Sequence, residues 1–306
     1  MRKTDRGDPG QKGRPELSVV LVNYNDSSHL AGCLSSLQKA ISGLSAEVIL
    51  VDNHSEDGSP GLVRTAFPWV RLIENEENLG YPTANNIGFR QSRGEFCLFL
   101  NTDTVMPETG LVALLSGIRS RREAGAIGPA LVRKNGLFQV SFGRRVSFFS
   151  EIRQKFVFNP FYRFALRLSR KAREVGWLSG ACLLARRNAV EAAGLFDENF
   201  FLFFEDIDLC QRIRERGFKL IFFPAVRVVH IGGAATSARR WRSRLEYRRS
   251  QLRFYDKHNS RNSLRFLKLY LRWNVFVLGL IRSRKDRGER ARYRDGLRKL
   301  ASGPGS

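Results

Sequence analysis

Continuous apolar runs alternate with amphipathic segments along the first hundred residues. The run LSVVLVNYN at 17–25 is rich in β-branched residues and ends in polar side chains, which is typical of a strand buried on both faces of a parallel sheet. Residues 27–40 place apolar side chains at helical spacing, and AEVILVDN then repeats the strand pattern. Strands that alternate with helices predict a parallel sheet joined by right-handed crossovers.

The same alternation continues and, after one interruption, resumes. We predict a helix at 61–66, a strand in VRLIEN, a helix at 84–92 and a strand in GEFCLFLNTDT. Between 132 and 174 the rhythm is lost, and aromatic and basic residues interleave. It resumes with a strand at 182–185, a helix from Arg187 and a strand in KLIFFPAVRVVH.

Polar clusters follow three of the predicted strands: NYN, VDNHSEDGS and NTDT. In an open α/β sheet, ligands bind outside the carboxyl ends of the strands, so we expect the site at this edge. Neither GxGxxG nor GxxxxGK[ST] occurs, which argues against the ordinary dinucleotide site and the P-loop.

Positive charge is concentrated at the C-terminal end. The net charge is +23, and the chain from Arg239 onward holds 21 basic and 5 acidic residues. This imbalance indicates an anionic partner such as a nucleic acid, a membrane surface or a phosphorylated substrate, and charge alone does not choose among them. No apolar run reaches the roughly 18 residues that a membrane span needs.

The cysteines favour a reducing compartment. Cys33, Cys97, Cys182 and Cys210 have no CxxC spacing and stand among apolar residues, so we expect reduced core side chains. With no secretory signal pattern, the chain is expected to be cytosolic.

Acidic residues at two places in the chain are candidates for catalytic or metal-binding roles. Asp103 in NTD follows a buried strand, where a carboxylate can hold a divalent cation together with diphosphate oxygens, or can cap a turn. Glu205, Asp206 and Asp208 stand among apolar residues in FLFFEDIDLC. They could favour a helix N-terminus, form structural ion pairs, or include a general base in an apolar pocket.

Several motifs in order resemble the family 2 glycosyltransferases. They are VDN, ENLGYPTANNIG, NTD, WLSGACLL, GLFDENFFLFFEDIDLC and VVHIGG, and they extend over about 17–258. The closest likeness is to the bacterial branch with rhamnosyltransferases and galactofuranosyltransferases. The resemblance implies the α/β GT-A fold, a Rossmann-like, mostly parallel central sheet flanked by helices.

The domain organisation follows from this resemblance together with the composition. We expect a disordered lead-in at 1–15 and a GT-A domain at 16–238, with an acceptor-side or membrane-facing insert at 132–175. A basic, helical region at 239–306 would complete the chain.

The resemblance also implies a donor pocket. Asp52 occupies the position that hydrogen-bonds the nucleotide base, and Asn23 and Tyr24 would line the same pocket. Asn85 and Asn86 are expected to begin the helix after GYPTA, where free amides could meet the donor diphosphate.

Metal, base and acceptor positions are implied in the same way. Asp103 matches the last acid of the metal-binding DxD motif, in which Asn101 replaces the first acid, and His230 would be a further ligand of Mg or Mn. Asp206 occupies the base position, with Glu205 as the alternative. Asp208 and Arg212, four residues apart, are expected to form a structural pair. On the acceptor side the resemblance places Trp177, Ser179 and Gly180.

The implied activity is an inverting, metal-dependent sugar transfer for cell-envelope polysaccharide. Its donor would be a nucleotide-diphosphate sugar, first dTDP-rhamnose, and its acceptor a glycan or polyprenyl-linked hydroxyl. SLRFLKLYLRWNVFVLGLIRSRK favours a helix on the inner face of an anionic membrane, or alternatively one packed on the domain with a solvated basic face. A nucleic-acid-binding protein and an inactive relative with Asn101 remain as other hypotheses, although no nucleic-acid partner is expected.

Overall fold

A computed structural model describes residues 13–144, 146–147, 171–232, 240–280 and 287–302. The predicted lead-in, up to residue 12, and most of the predicted insert, 148–170, therefore lie outside the described residues.

One mixed sheet forms the centre of the molecule. Its parallel half contains β1 (Leu17–Asn23), β2 (Ala46–Asp52), β3 (Arg71–Glu74) and β4 (Phe96–Asn101) in the order β3-β2-β1-β4. Each of these strands except the short β3 is almost entirely buried, as the apolar runs predicted. The polar ends of β1, β2 and β4 therefore meet at one edge of the sheet.

The second half of the sheet contains both parallel and antiparallel pairs. In chain order its strands are β5 (Thr104–Val105), β6 (Ala124–Val132), β8 (Arg173–Val175), β10 (Cys182–Arg186) and β11 (Lys219–His230), and β7 (Phe142–Gly143) and β9 (Trp177–Leu178) form a separate pair. β10 is antiparallel to both β4 and β6, whereas β6 and β11 are parallel. β5 pairs antiparallel with the end of β11, which brings residues 104 and 230 side by side.

Among the described residues before 233, six helices cover the two faces of the sheet. They are α1 (Ser27–Ala40), α2 (Ser59–Ala66), α3 (Tyr81–Gln91), α4 (Gly110–Arg119), α5 (Arg187–Ala192) and α6 (Glu205–Glu215). Side chains of α1, α2 and α4 join one buried cluster, and side chains of α3, α5 and α6 join a second on the opposite face. The strand and helix alternation thus gives the expected GT-A architecture, with helices on both sides of a mostly parallel sheet.

One predicted helix start was wrong. We expected a helix from residue 84, but α3 begins at Tyr81 after Gly80, whose φ of 84° suits glycine. Pro82 stands in the first turn, where its missing N–H costs no helical hydrogen bond. Asn85 and Asn86 therefore belong to the second turn, where their backbone amides are no longer at the open helix end.

In the described part of the C-terminal region, three helices pack together with residues 200–204. They are α7 (Arg240–His258), α8 (Arg261–Leu280) and α9 (Arg287–Ser302). Leu267 and Leu271 of α8 are buried in a third apolar cluster that includes Phe204. The opposite side of α8 exposes Trp273, so the helix is packed on the domain along one face and open along the other. Within the described ranges, none of the helices combines the length and the apolar character that a membrane crossing requires.

Candidate active site

The first two strands bring Asn23 and Asp52 together at the carboxyl edge of the sheet. They are register partners, and Asn23 Nδ2 donates to Asp52 Oδ1 over 2.7 Å. The other carboxylate oxygen, Oδ2, accepts from the Ser55 N–H at 2.8 Å. Asp52 is 2% exposed, whereas Tyr24 is 42% exposed. A direct contact of Asp52 with a nucleotide base therefore requires the surrounding loop to move, while Tyr24 is already accessible.

Asn53 was not singled out from the sequence, yet it organises the loop beside this pocket. Its Nδ2 donates to Asn78 Oδ1 at 2.9 Å and to Gly80 O at 3.1 Å, and its Oδ1 accepts from Asn75 Nδ2 and the Leu79 N–H. Because Asn53 satisfies four partners, it fixes the entry to α3.

The two asparagines of α3 have different partners. Asn85 Nδ2 donates to Tyr81 O at 2.9 Å, and its Oδ1 is buried without a hydrogen-bond partner. Asn86 donates to Phe196 O at 2.9 Å and accepts from the Phe196 N–H at 3.0 Å. Asn86 therefore ties α3 to the loop that leads to α6, whereas the buried Oδ1 of Asn85 is available to a ligand that reaches it.

Tyr81 joins the two sides of the site, and sequence reasoning missed it. Its hydroxyl donates to Asn101 Oδ1 over 2.7 Å and lies 3.5 Å from Gly180 O. Burial first, and then the charges of Glu205, Asp206 and Asp103, raise the pKa of Tyr81, so it stays a proton donor. Asn101 stands where the family motif has an acid, and it accepts a hydrogen bond from Tyr81. The pKa of Tyr81 is raised by the charges of Asp103 and of the pair at 205–206.

Asp103 and His230 face one another, as the resemblance implied. Their Oδ1 and Nε2 atoms are 3.3 Å apart, and the second oxygen of Asp103 accepts from the Gly232 N–H at 3.0 Å. Burial raises the pKa of Asp103, but the hydrogen bond and charge of His230 and the Gly232 N–H outweigh it, so the pKa lies below its usual value. Asp103 is therefore held as a carboxylate.

Gln139 orients the imidazole of His230. Its Nε2 donates to the backbone oxygen of His230 at 2.5 Å, which turns Oε1 toward Nδ1 at 2.8 Å. Because Oε1 can only accept, Nδ1 donates its proton to Gln139, and Nε2 is the ring nitrogen that faces Asp103. Ligating histidines commonly have such a partner on the second nitrogen.

The donor set of Asp103 and His230 fits a divalent cation whose remaining ligands come from outside the protein. Within the part of the chain that the structure describes, no group of three or more His, Cys, Asp or Glu residues could enclose a metal ion. One carboxylate and one imidazole leave several positions for phosphate oxygens and water, as Mg²⁺ at substrate phosphates requires.

Glu205 and Asp206 begin α6 and differ in accessibility. Asp206 Oδ2 accepts from the Gly180 N–H at 2.7 Å, and its Oδ1 accepts from the Ile207 N–H at 2.8 Å. Glu205 is 6% exposed, and its Oε2 is buried without a hydrogen-bond partner. Burial raises the pKa of both acids, and the charge of Asp206 raises that of Glu205 further, well above its usual range. The half-buried Asp206 is thus the better placed proton acceptor of the two.

Of the three residues that the resemblance places on the acceptor side, Gly180 lies directly against Asp206. A Cβ on Gly180 would stand 3.0 Å from Asp206 Cβ, so glycine permits this close approach. The Ser179 N–H donates to Ser141 O at 2.9 Å, and this hydrogen bond joins the end of β9 to the start of β7. Trp177 is half-buried in β9, and Gly143 of the paired strand leaves room for its ring, because a Cβ there would stand 2.4 Å from Trp177 Nε1.

Asp208 has the structural role that the sequence predicted. Arg212 donates to its Oδ2 from Nε at 2.8 Å, with Nη2 at 2.6 Å. Its Oδ1 also contacts His258 Nε2 at 2.6 Å and Lys257 Nζ at 2.8 Å, both from α7. Asp208 is fully buried, so this carboxylate joins α6 to the C-terminal helices.

Comparison with known proteins identifies the family of the chain. The family model described as glycosyl transferase family 2 matches residues 18–194. N-acetylglucosaminyl-diphospho-decaprenol L-rhamnosyltransferase of Mycobacterium tuberculosis is 34% identical over 234 residues, which are 70% of this chain and 75% of the relative. O-antigen biosynthesis protein RfbC of Myxococcus xanthus is 27% identical over 238 residues, which are 74% of this chain and 18% of the relative.

A solved structure shares the fold. It is a mannosyltransferase of Pyrobaculum calidifontis in complex with GDP-mannose and Mn²⁺, with a TM-score of 0.58 and 18% identity over 96% of this chain and 76% of that chain.

Proposed function

Because the chain belongs to glycosyltransferase family 2 and has the GT-A fold, we propose that it transfers a sugar from a nucleotide-diphosphate donor to a hydroxyl group with inversion. The observation that supports this most is a series of close contacts from Asp206 to Asn101, two residues before Asp103. The Gly180 N–H donates to Asp206, the Tyr81 hydroxyl lies 3.5 Å from Gly180 O, and the same hydroxyl donates to Asn101 Oδ1. On this basis we assign the family's base and metal positions to one site.

In the proposed step, the acceptor hydroxyl oxygen forms a bond to the anomeric carbon as its proton passes to Asp206. The bond from the anomeric carbon to the diphosphate oxygen breaks, and the nucleoside diphosphate leaves with the electron pair. The apolar surroundings of Asp206 raise its basicity, which suits a general base. Glu205 is the more deeply buried of the two acids, and the charge of Asp206 raises its pKa further.

Asp103 and His230 would hold a Mg²⁺ or Mn²⁺ ion. When bound, such an ion offsets the negative charge that develops on the departing diphosphate. The residues around it act through position: Gln139 fixes the imidazole, and the Gly232 N–H fixes the carboxylate. On the donor side we assign Asn23, Tyr24, Asp52, Asn85 and Asn86, with Asn101 held by Tyr81.

The substrates follow from the relative with 34% identity. The name of that M. tuberculosis protein specifies rhamnosyl transfer to an N-acetylglucosaminyl-diphospho-decaprenol. We assign to this chain rhamnose from dTDP-rhamnose and a polyprenyl-linked or glycan hydroxyl of a cell-envelope polysaccharide. Trp177, Ser179 and Gly180 would line the acceptor, with the indole face of Trp177 against a sugar ring.

Transfer from a nucleotide sugar tests the assignment through three variants. Wild-type protein should consume dTDP-rhamnose with Mn²⁺ or Mg²⁺, and Asp206→Asn should keep donor binding but lose roughly 10²- to 10⁴-fold in kcat. Glu205→Gln, which keeps the size of the buried neighbouring side chain, should stay within a few-fold of wild type. Asp103→Ala should weaken both donor binding and transfer. Donor hydrolysis and transfer that are absent from wild-type protein with every nucleotide sugar would favour an inactive relative.

A lipid-linked acceptor places the enzyme at the inner face of the cell membrane, and α8 offers a surface for it. Leu269, Trp273 and Phe276 recur at helical spacing and are 57%, 61% and 57% exposed. Arg265 and Arg272 are exposed on the adjoining strip of the same helix. Aromatic side chains beside cations match the headgroup level of an anionic bilayer, so we assign this face to peripheral membrane binding.

Vesicle co-sedimentation tests the α8 face. A basic side chain near an anionic surface contributes about 1 kcal/mol, so Arg265→Ala with Arg272→Ala should lower partitioning into phosphatidylglycerol vesicles by roughly 30-fold. Trp273→Ser should also weaken binding, whereas Val112→Ser, at a 51% exposed position on α4, should not. Tight binding to duplex DNA at the same salt concentration, without vesicle binding, would instead support a nucleic-acid partner.

A further inference from the structure

We propose that one face of α7 positions Asp206 by holding the loop 197–204, so that the C-terminal helices contribute to the transfer step itself. This inference rests on the proposed function for the role of Asp206. It does not depend on the membrane assignment of α8, because the contacts lie on a different helix.

The loop that presents Asp206 has a strained backbone. Phe203 and Phe204 are consecutive non-glycine residues with φ of 69° and 66°. Bulky side chains rarely adopt this left-handed conformation, and they keep it only where the surroundings determine it. Glu205 follows immediately as the first residue of α6, so any relaxation of this pair would turn the helix start that carries Asp206.

Polar groups of α7 hold the loop at three points. Ser250 Oγ donates to Leu202 O at 2.8 Å, and the guanidinium of Arg253 donates to Asn199 O. Lys257 Nζ donates to Asp197 Oδ2 at 2.6 Å. These contacts satisfy two backbone oxygens and one carboxylate of the loop from a single helix.

Aromatic rings of α7 cover the strained pair. The ring of Tyr247 lies 5.7 Å from Phe203 and 5.2 Å from Phe204, and Phe254 lies 5.5 Å from Phe204. Tyr247, Ser250, Phe254 and Lys257 recur at intervals of three and four residues, so they share one face of the helix. Phe204 is 4% exposed as a result.

α7 also contacts α6 just beyond Glu205 and Asp206. Lys257 and His258 contact the buried Asp208, which stands two residues beyond Asp206 on α6. On the donor side, the Tyr81 N–H donates to Phe201 O at 2.9 Å. The first turn of α6, which carries Asp206, is therefore held through the loop before it and through Asp208 after it, and the loop itself is held between α3 and α7.

Arg253 and Arg249 provide a matched comparison. Both are exposed arginines of α7, but Arg249 pairs with Glu246 of the same helix and Arg253 reaches the loop. Since a misplacement of about 1 Å can cost roughly 10²-fold, Arg253→Ala should lower kcat by about 10- to 100-fold. The KM for the donor should change less than about two-fold, Arg249→Ala should match wild type, and Arg253→Lys should recover most of the activity.

Hydrogen exchange of the loop separates this inference from the proposed function. In Arg253→Ala, amide exchange at 197–206 should accelerate while the strands of the sheet keep their protection, and Arg249→Ala should leave it unchanged. If Arg253→Ala fails to fold, Ser250→Ala carries the same expectations. Unchanged exchange, or accelerated exchange with full kcat in an active enzyme, would overturn the role of α7. An inactive wild-type enzyme would overturn the proposed function instead.

Discussion

Replacement of Asp208 by Asn tests how firmly the C-terminal helices are joined to the catalytic helix. The carboxylate is fully buried and contacts Arg212, Lys257 and His258 at 2.6 to 2.8 Å. Removal of one member of a buried ionic group leaves the others unpaired, which typically costs about 3–5 kcal/mol. Because Lys257 is partly exposed and can turn to water, we expect a loss near the lower end, about 3 kcal/mol.

Urea unfolding of wild type, Asp208→Asn and Asp256→Asn would measure this loss. Asp256 lies exposed on α7, so its replacement should change the free energy of unfolding by less than about 0.5 kcal/mol. A loss below about 1 kcal/mol in Asp208→Asn would refute the claim that this cluster joins the helices, because an exposed ion pair contributes about as much to the free energy of unfolding.

The same variant should show a defined pH dependence. Burial raises the pKa of Asp208, but the hydrogen bond of His258 and the charge of Arg212, with Lys257, outweigh it and hold the pKa below its usual value. A carboxyl group whose pKa is lowered in the folded state stabilises the fold at pH values above its unfolded-state pKa, near 3.9. This stabilisation disappears as the pH falls through the folded-state pKa. The difference between wild type and Asp208→Asn should therefore be full at neutral pH and shrink below about pH 4.

Three further predictions concern the site. Gln139→Met should weaken Mn²⁺ binding by roughly 10- to 100-fold in calorimetric titration, because His230 loses the partner that orients it, whereas the exposed Leu137→Ala should not. Gly143→Ala should displace Trp177 and destabilise by about 1–3 kcal/mol, with a shifted tryptophan emission; an unchanged spectrum would contradict the close packing. Gly180→Ala should lower kcat while donor binding is kept, since the added Cβ would meet Asp206 at 3.0 Å; equal loss of donor binding would argue against an acceptor-side position.

Local patterns predicted the parts of the molecule that depend on near neighbours. The bounds of β11 match KLIFFPAVRVVH because the whole run is apolar or alternating, and the pair Asp208 and Arg212 follows from helical spacing. The predicted start of α3 was wrong because the residues just before 84 do not show the apolar spacing of a helix, although the helix begins at Tyr81, after the turn at Gly80.

Contacts between distant segments were beyond the sequence. Gln139 reaches His230 across 91 positions, and Tyr81 reaches Asn101 from a different element, so no periodicity marks either pair. The resemblance implied that His230 and Asp103 lie close together. In the structure this follows from the pairing of β5 with β11, in which residues 104 and 230 are opposite one another. The sequence left open whether α8 lies on a membrane or packs on the domain; in the structure one face packs with α7 and α9, and the other face exposes Trp273.

Crystallography with donor and Mn²⁺ is the most direct test of the central claim that one site holds both the leaving group and the base. Anomalous scattering should place the metal between Asp103 Oδ1 and His230 Nε2, with the donor diphosphate bound to it. The anomeric carbon should then face Asp206 across a gap that fits one acceptor hydroxyl. A metal bound away from Asp103, or an anomeric carbon that points away from Asp206, would contradict the account.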